Sequence, residues 1–281
     1  MKILDRMANR FSRKRLVGRA RNYLELVINQ NLTVYPRQAL FPYEGEGSVV
    51  VLSPHADDET FGVGGTIALH VAHGDQLTVV LCSNNAGSIR QEWITDEETR
   101  RTRLAEFRQA MDALGVRSVR YLDLAPAELA SKCACDLLAK VLVEKQPRLL
   151  YLPSIFDNHE DHRRVNIAFA SACGMVGLDN CLVRAFEVWT PLPANIVIDI
   201  SEHIATKRKA TAMYVSQLAS LDYGHHILGL NAYRAITFER TAQYAEAFLE
   251  LPVQTYRAWV QRFLAPHRIV LQHLPGGLSQ C

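Results

Sequence analysis

Ser48-Val49-Val50-Val51-Leu52-Ser53-Pro54-His55-Ala56-Asp57-Asp58-Glu59 is the stretch on which the fold turns. Its first half is a short apolar, β-branched run, the pattern of a strand buried on both faces. Its second half puts four ionisable groups, His55, Asp57, Asp58 and Glu59, into a loop. Such a density of charge is costly to bury without partners. Downstream the pattern repeats. Leu77–Cys82, Val119–Leu122 and Leu149–Leu152 read as further buried strands, and Cys181–Trp189 and Asn195–Ile200 as later ones. Between them, Gly62–His73, Glu97–Leu114 (ended by Gly115), Glu128–Glu144 and Arg163–Val176 carry helical patterns. Alternating strands and helices predict an α/β fold, a mostly parallel sheet flanked by helices. From His203 onward the chain reads as mainly helical.

In such sheets ligands sit beyond the carboxyl ends of the strands, so polar residues directly after strands are the candidates for a site. Three groups qualify. In the first, His55 and Asp58 are near enough in sequence to share a divalent cation through imidazole nitrogen and carboxylate oxygen, a usual catalytic-zinc donor set. Asp57 would then be free for proton transfer; the alternative is an acidic loop that caps the next helix. The second group is Asp157-Asn158-His159-Glu160-Asp161-His162, after the strand at Leu149–Leu152. Two histidines with carboxylates between them fit a ligand and its orienting partner. The third group comprises Asn84 and Asn85 after the second strand and Asp123 after the third, with Arg103 and Glu106 on the helix between them. Tyr214, His225, His226, Asn231 and Arg234 are further polar candidates from the C-terminal part.

The motifs PHADDETFGVGGTIALH, from Pro54, and HEDH, at His159–His162, resemble the PIG-L/LmbE family of zinc-dependent N-deacetylases. The likeness extends from about Ser48 to about Leu251 and includes RLAE at Arg103–Glu106, YVSQ at Tyr214–Gln217 and YAEAF at Tyr244–Phe248. It implies a Rossmann-like fold and release of acetate from an N-acetylated sugar. By motif position it implies His55, Asp58 and His162 as zinc ligands, with iron(II) or another divalent ion an alternative. Asp57 would be the general base, His159 the oxyanion stabiliser and Asp161 the residue that holds a histidine. Arg103 would contact substrate; Asn84 and Asp123 are candidate substrate contacts from their place after strands alone, not from the resemblance. Ala56 and Glu160 stand where the family usually has proline, and Asn84-Asn85-Ala86-Gly87 where a TNGE-like run is common.

The remaining sequence narrows the classes. No GxSxG elbow, no GxxxxGK[ST] loop and no cysteine in either site loop offers a rival nucleophile or phosphate cradle. A net charge of +2 over 281 residues gives no whole-protein case for nucleic acid. Six cysteines without a CxxC pair fit a reduced, cytoplasmic setting. Residues 1–47 read as an extension, 48–270 as the deacetylase-like domain and 271–281 as a tail. Within the extension, Lys2, Arg6, Arg10, Arg13, Lys14, Arg15, Arg19 and Arg21 interleave with Ile3, Leu4, Met7, Phe11, Leu16 and Val17 at roughly helical spacing. This is a basic amphipathic helix, either packed on the domain or placed against an anionic membrane at the inner face. The expected partner is an N-acetylated sugar or a glycolipid such as a lipopolysaccharide precursor. A zinc amidase for a non-sugar amide and a non-catalytic binding module remain as alternatives.

Overall fold

The computed structural model describes residues 36–39, 47–86, 88, 94–238 and 241–264. The amphipathic pattern of residues 1–30 and the tail at 271–281 lie outside the described residues. The two-residue strand β1 (Arg37–Gln38) belongs to the extension and pairs with the main sheet. The first buried run becomes β2 (Ser48–Ser53), followed by α1 (Asp58–His73), β3 (Gln76–Ser83), α2 (Asp96–Leu114) and β4 (Ser118–Leu124). Then come α3 (Lys132–Lys145), β5 (Pro147–Pro153), α4 (Glu160–Val176), β6 (Leu182–Phe186) and β7 (Ile196–Asp199). Helices α5 (Ile204–Thr211), α6 (Val215–Leu218) and α7 (Tyr223–Arg234) precede β8 (Ala245–Pro252) and α8 (Val253–Phe263).

The eight strands form one sheet in the order β1-β7-β8-β6-β5-β2-β3-β4. All pairs are parallel except those of β8, which is antiparallel to both β6 and β7. The chain runs outward from β2 through β3 to β4, then crosses to the other side of β2 to lay down β5 and β6. The crevice between β2 and β5 is therefore a topological switch point, where open α/β sheets bind ligands. The loops that begin with Pro54 and with Ser154 open from its two sides. One apolar cluster fills each face: Leu52, Leu150, Val183 and Phe169 on one, Val51, Val79, Ile67 and Phe107 on the other.

Three local readings change. The C-terminal part is not uniformly helical, because β8 inserts into the sheet. Its sequence, AEAFLELP, is rich in good helix formers, and pairing with β6 and β7 on both edges overrides that propensity. Helix α3 starts at Lys132 rather than Glu128, because the Ser131 side chain accepts from the Ala134 N–H as an N-cap. The strand predicted over Cys181–Trp189 ends at Phe186, and Val188 and Trp189 line the cleft.

Helix α1 carries a break. Val63 has non-helical φ/ψ of −140° and 16°, which frees the Phe61 carbonyl and the Gly65 and Thr66 N–H groups from the helical ladder. Each is satisfied by the C-terminal part. Lys207 Nζ donates to Phe61 O at 2.8 Å, and Glu246 accepts from Gly65 and Thr66 N–H at 2.8 Å each. Gly65 is required here, since a Cβ would meet Ile200 at 2.7 Å. The break lets α1 lie close on the sheet while its first turn delivers the polar loop to the crevice.

Candidate active site and metal centre

The β2 loop is pinned from several directions. Glu59 is fully buried. It accepts hydrogen bonds from Ser53 Oγ (2.7 Å), Thr60 Oγ1 (2.7 Å), the Asp57 N–H (3.2 Å) and Tyr214 OH (2.5 Å). Asn85 Oδ1 accepts from the Ala56 N–H at 2.8 Å. Together they hold Asp57 at φ 138°, a strained conformation for a residue with a side chain, worth roughly 1–3 kcal/mol. Asp57 precedes α1 without making a side-chain cap. Its carboxylate lines the cleft instead, where Arg103 NH2 donates to it at 2.8 Å.

Asp58 lies between the two loops. Its Oδ2 is 3.2 Å from His55 Nδ1 and 3.2 Å from His162 Nε2. Ligand atoms at zinc's usual distances and tetrahedral angles sit about 3.3 Å apart, so these separations match two edges of such a site. Neither ring nitrogen of the buried His162 makes a hydrogen bond of good geometry among the described residues. Its Nε2 faces Asp58 and its Nδ1 faces Asp157 Oδ1 at 3.3 Å. Burial alone would lower the pKa of both histidines. For His55, Asp161 and Asp58 outweigh burial and raise it to about 9. For His162, Asp58 and Asp157 raise it to about 10. Burial would raise Asp58, yet His162 and His55 hold it well below the usual carboxylate range. Without metal, protons on the imidazoles supply the positive charge the carboxylates demand. The donor set therefore fits a divalent cation.

His159 stacks on His162 with centroids 4.8 Å apart, and one nitrogen from each of His55, His159 and His162 falls within 4.8 Å of the others. His159 nevertheless differs from its neighbours. As N-cap of α4, its Nδ1 accepts from the Asp161 N–H at 3.2 Å. Burial, then His55 and His162, lower its pKa, so the ring is neutral. A neutral ring with Nδ1 accepting carries its proton on Nε2.

The other sequence candidates divide. Asp161 Oδ2 faces His55 Nε2 at 3.1 Å, and its Oδ1 accepts from Arg164 at 2.6 Å. Arg103 reaches the cleft wall but is 1% exposed, paired with Asp57, Glu106 and the Ala56 carbonyl. Asn84 and Asp123 do not stand in the cleft wall. Asn84 Oδ1 accepts from the Ala86 N–H at 3.1 Å, and the exposed Asp123 carboxylate binds Arg100 at 2.9 Å. Tyr214, Asn231 and Arg234 are occupied in the scaffold, by Glu59, Lys207 and Glu187. Two residues were named from sequence only as members of larger groups. Asp157 is fully buried between His162 Nδ1 and the Trp189 N–H, and Asn85 rather than Asn84 lines the cleft. Asp157 lay inside the quoted motif, but the partner it shares with a loop 32 residues away was invisible there.

The cleft measures about 590 Å³. His55, Asp57, Asp58, His159 and Asp161 form its polar floor, and Phe61, Val188, Trp189 and Tyr223 an apolar wall. Fold and site together place a cluster of histidine and aspartate side chains that could hold a metal ion at the switch point of an α/β sheet. Residues 50–173 match the family model described as PIG-L: GlcNAc-PI de-N-acetylase, and the chain carries a domain of that family. It is 24% identical over 192 residues to diacetylchitobiose deacetylase of Thermococcus kodakarensis, covering 63% of this chain and 72% of that protein. It is 29% identical over 191 residues to the 1D-myo-inositol 2-acetamido-2-deoxy-α-D-glucopyranoside deacetylase of Nocardia farcinica, covering 58% and 64%. The solved structure of N,N'-diacetylchitobiose deacetylase from Pyrococcus horikoshii superposes with a TM-score of 0.67 at 18% identity, covering 88% of this chain and 95% of that one. GalB of Pseudomonas putida, a 4-carboxy-2-hydroxymuconate hydratase, superposes with a TM-score of 0.64 at 23% identity, covering 73% and 96%. These structural likenesses establish the fold; the reaction must be argued from the site.

Proposed function

We propose that the protein is a zinc-dependent N-deacetylase that hydrolyses the N-acetyl group of an N-acetylhexosamine in a glycoconjugate. The observation that carries this reading is Asp58 Oδ2 held 3.2 Å from both His55 Nδ1 and His162 Nε2, with the Asp57 carboxylate turned into the same cleft. His55, Asp58 and His162 would hold the ion, which supplies Lewis acidity to the acetyl carbonyl and lowers the pKa of water.

The chain's own groups do the rest. Burial raises the Asp57 pKa to about 7, against the lowering effect of Arg103, which suits a group that must both take and return a proton. Asp57 accepts a proton from the attacking water as the oxygen–carbon bond forms. The neutral His159 presents its Nε2–H to the developing oxyanion, preorganised by the Asp161 N–H on the opposite ring nitrogen. As the carbon–nitrogen bond breaks, Asp57 returns the proton to the amine, leaving acetate and a free amino sugar. Arg103 acts as a positioning residue that orients Asp57. The curated relatives are named as deacetylases of N-acetylated sugars, which favours a hexosamine over a non-sugar amide. The basic amphipathic pattern of residues 1–30 favours a lipid-linked form of the glycan and a peripheral, inner-face location. No described helix is long and apolar enough to cross a membrane.

The test is acetate release from N-acetylhexosamine glycoconjugates by zinc-loaded protein and by Asp57→Asn. The variant is expected to keep its zinc and to lose about 10²-fold or more in kcat. Near-normal turnover would remove Asp57 from the proton-transfer role.

A further inference from the structure

Trp189 is 50% exposed, yet its position is fixed. Its backbone N–H donates to Asp157 Oδ2 at 2.9 Å, the carboxylate whose other oxygen faces His162. Its ring meets Tyr223 edge-on with centroids 5.7 Å apart, and Tyr223 stacks on Phe61 at 5.2 Å and 19°. Phe61 is buried on the first turns of α1, just after the metal loop. All three line the cleft. The result is a braced aromatic wall that starts beside the metal loop and ends in an open indole. Among the described residues, a tryptophan exposed and buttressed in this way leaves an apolar, electron-rich surface that no other side chain covers.

Resting on the deacetylase reading, we propose that Trp189 is a specificity-determining residue that stacks the sugar ring next to the one that loses its acetyl group. A pyranose offers a face of C–H bonds to the indole while its hydroxyls remain in water, the match an amphipathic aromatic at a wet rim provides. The cleft, at about 590 Å³, lies within the range of roughly 300–1,000 Å³ that holds ligands larger than one small ring. The preferred substrate is therefore a disaccharide or longer glycan with its reacting hexosamine at the polar floor. A lone N-acetylhexosamine leaves the indole uncovered.

The experiment compares zinc-loaded wild type, Trp189→Ala and Trp189→Phe on N-acetylglucosamine and on N,N'-diacetylchitobiose. Trp189→Ala is expected to raise KM for the disaccharide about tenfold with kcat little changed, and to leave the monosaccharide KM unaltered. Trp189→Phe should recover most of the loss, which a merely structural defect would not do. Equal effects on both sugars, or none, would overturn the proposal. Calorimetric binding of the two sugars to the same zinc-loaded proteins separates this inference from the reaction itself. Tighter binding of the disaccharide that is lost in Trp189→Ala supports the platform even if no acetate appears. Binding indifferent to the indole sinks the platform even if acetate does.

Discussion

Two buried charge networks lie at the two ends of the same helix break, and they are built on opposite principles. Around Lys207 every valence is filled. Its ammonium donates to Glu246, Asn231 and the Phe61 carbonyl at 2.7–2.8 Å, and Glu246 accepts two backbone N–H groups besides. Around Asp58 the valences are left over. The nitrogens of His162 lack well-formed hydrogen bonds, Asp57 is strained at φ 138°, and two imidazoles hold protons far above their ordinary pKa. Charge that is fully paired fixes a shape, whereas charge gathered but incompletely paired awaits a ligand. The first network is scaffold and the second is the candidate site.

That contrast can be broken by mutation. The largest effect is expected at the scaffold. Lys207→Met strands the buried Glu246 carboxylate, and loss of one partner of such a pair costs about 3–5 kcal/mol. Thermal and denaturant unfolding should register it, and the double variant Lys207→Met/Glu246→Gln should be less damaged than the single. A loss confined to activity, with stability unchanged, would place Lys207 in the site instead. Next comes Asp157→Asn, which weakens the hold on His162 while leaving its shape in place. Zinc affinity, measured by chelator competition, should fall about 10–100-fold. Unchanged affinity would show that Asp157 serves only the Trp189 loop.

A third effect is a pH dependence whose sign differs between the two forms of the protein. In the metal-free chain, the raised pKa values of about 9 for His55 and about 10 for His162 contribute stability below their unfolded values. That contribution is lost as pH rises through the folded values. Zinc requires the same rings deprotonated, so its affinity should rise with pH across the neutral range, about tenfold per unit for each proton displaced. The gap in Tm between zinc-loaded and metal-free protein should therefore widen from pH 6.5 to 8.5. A gap that narrows would mean that the imidazoles are not the ligands.

The legibility of these networks in the sequence follows from how local each one is. Strands β2, β3 and β5 declare themselves through continuous apolar runs, and the two polar loops stand directly at their carboxyl ends. That the two loops meet was accordingly readable; His55, Asp57, Asp58 and His162 were singled out within them by the motif resemblance. Contacts set by distant packing were not. The spacing of Arg103 and Glu106 does not reveal that α2 buries them, so that Arg103 pairs with Asp57 and Glu106 accepts from Ser216 at 2.7 Å. Strand β8 hides behind helix-forming residues, and with it went Glu246, whose partners lie about 180 residues earlier. Asn84 and Asn85 are adjacent, yet Asn85, at φ 60°, lines the cleft while Asn84 Oδ1 accepts from the Ala86 N–H.

The most direct test of the site is metal stoichiometry measured together with acetate release. Protein stripped with a chelator is titrated with zinc while acetate release from N,N'-diacetylchitobiose is followed. Loss of activity on stripping, and recovery that saturates at one zinc per chain, is the predicted result. Undiminished turnover in the stripped protein, or one tightly bound zinc with no acetate from any N-acetylated glycan, would contradict it.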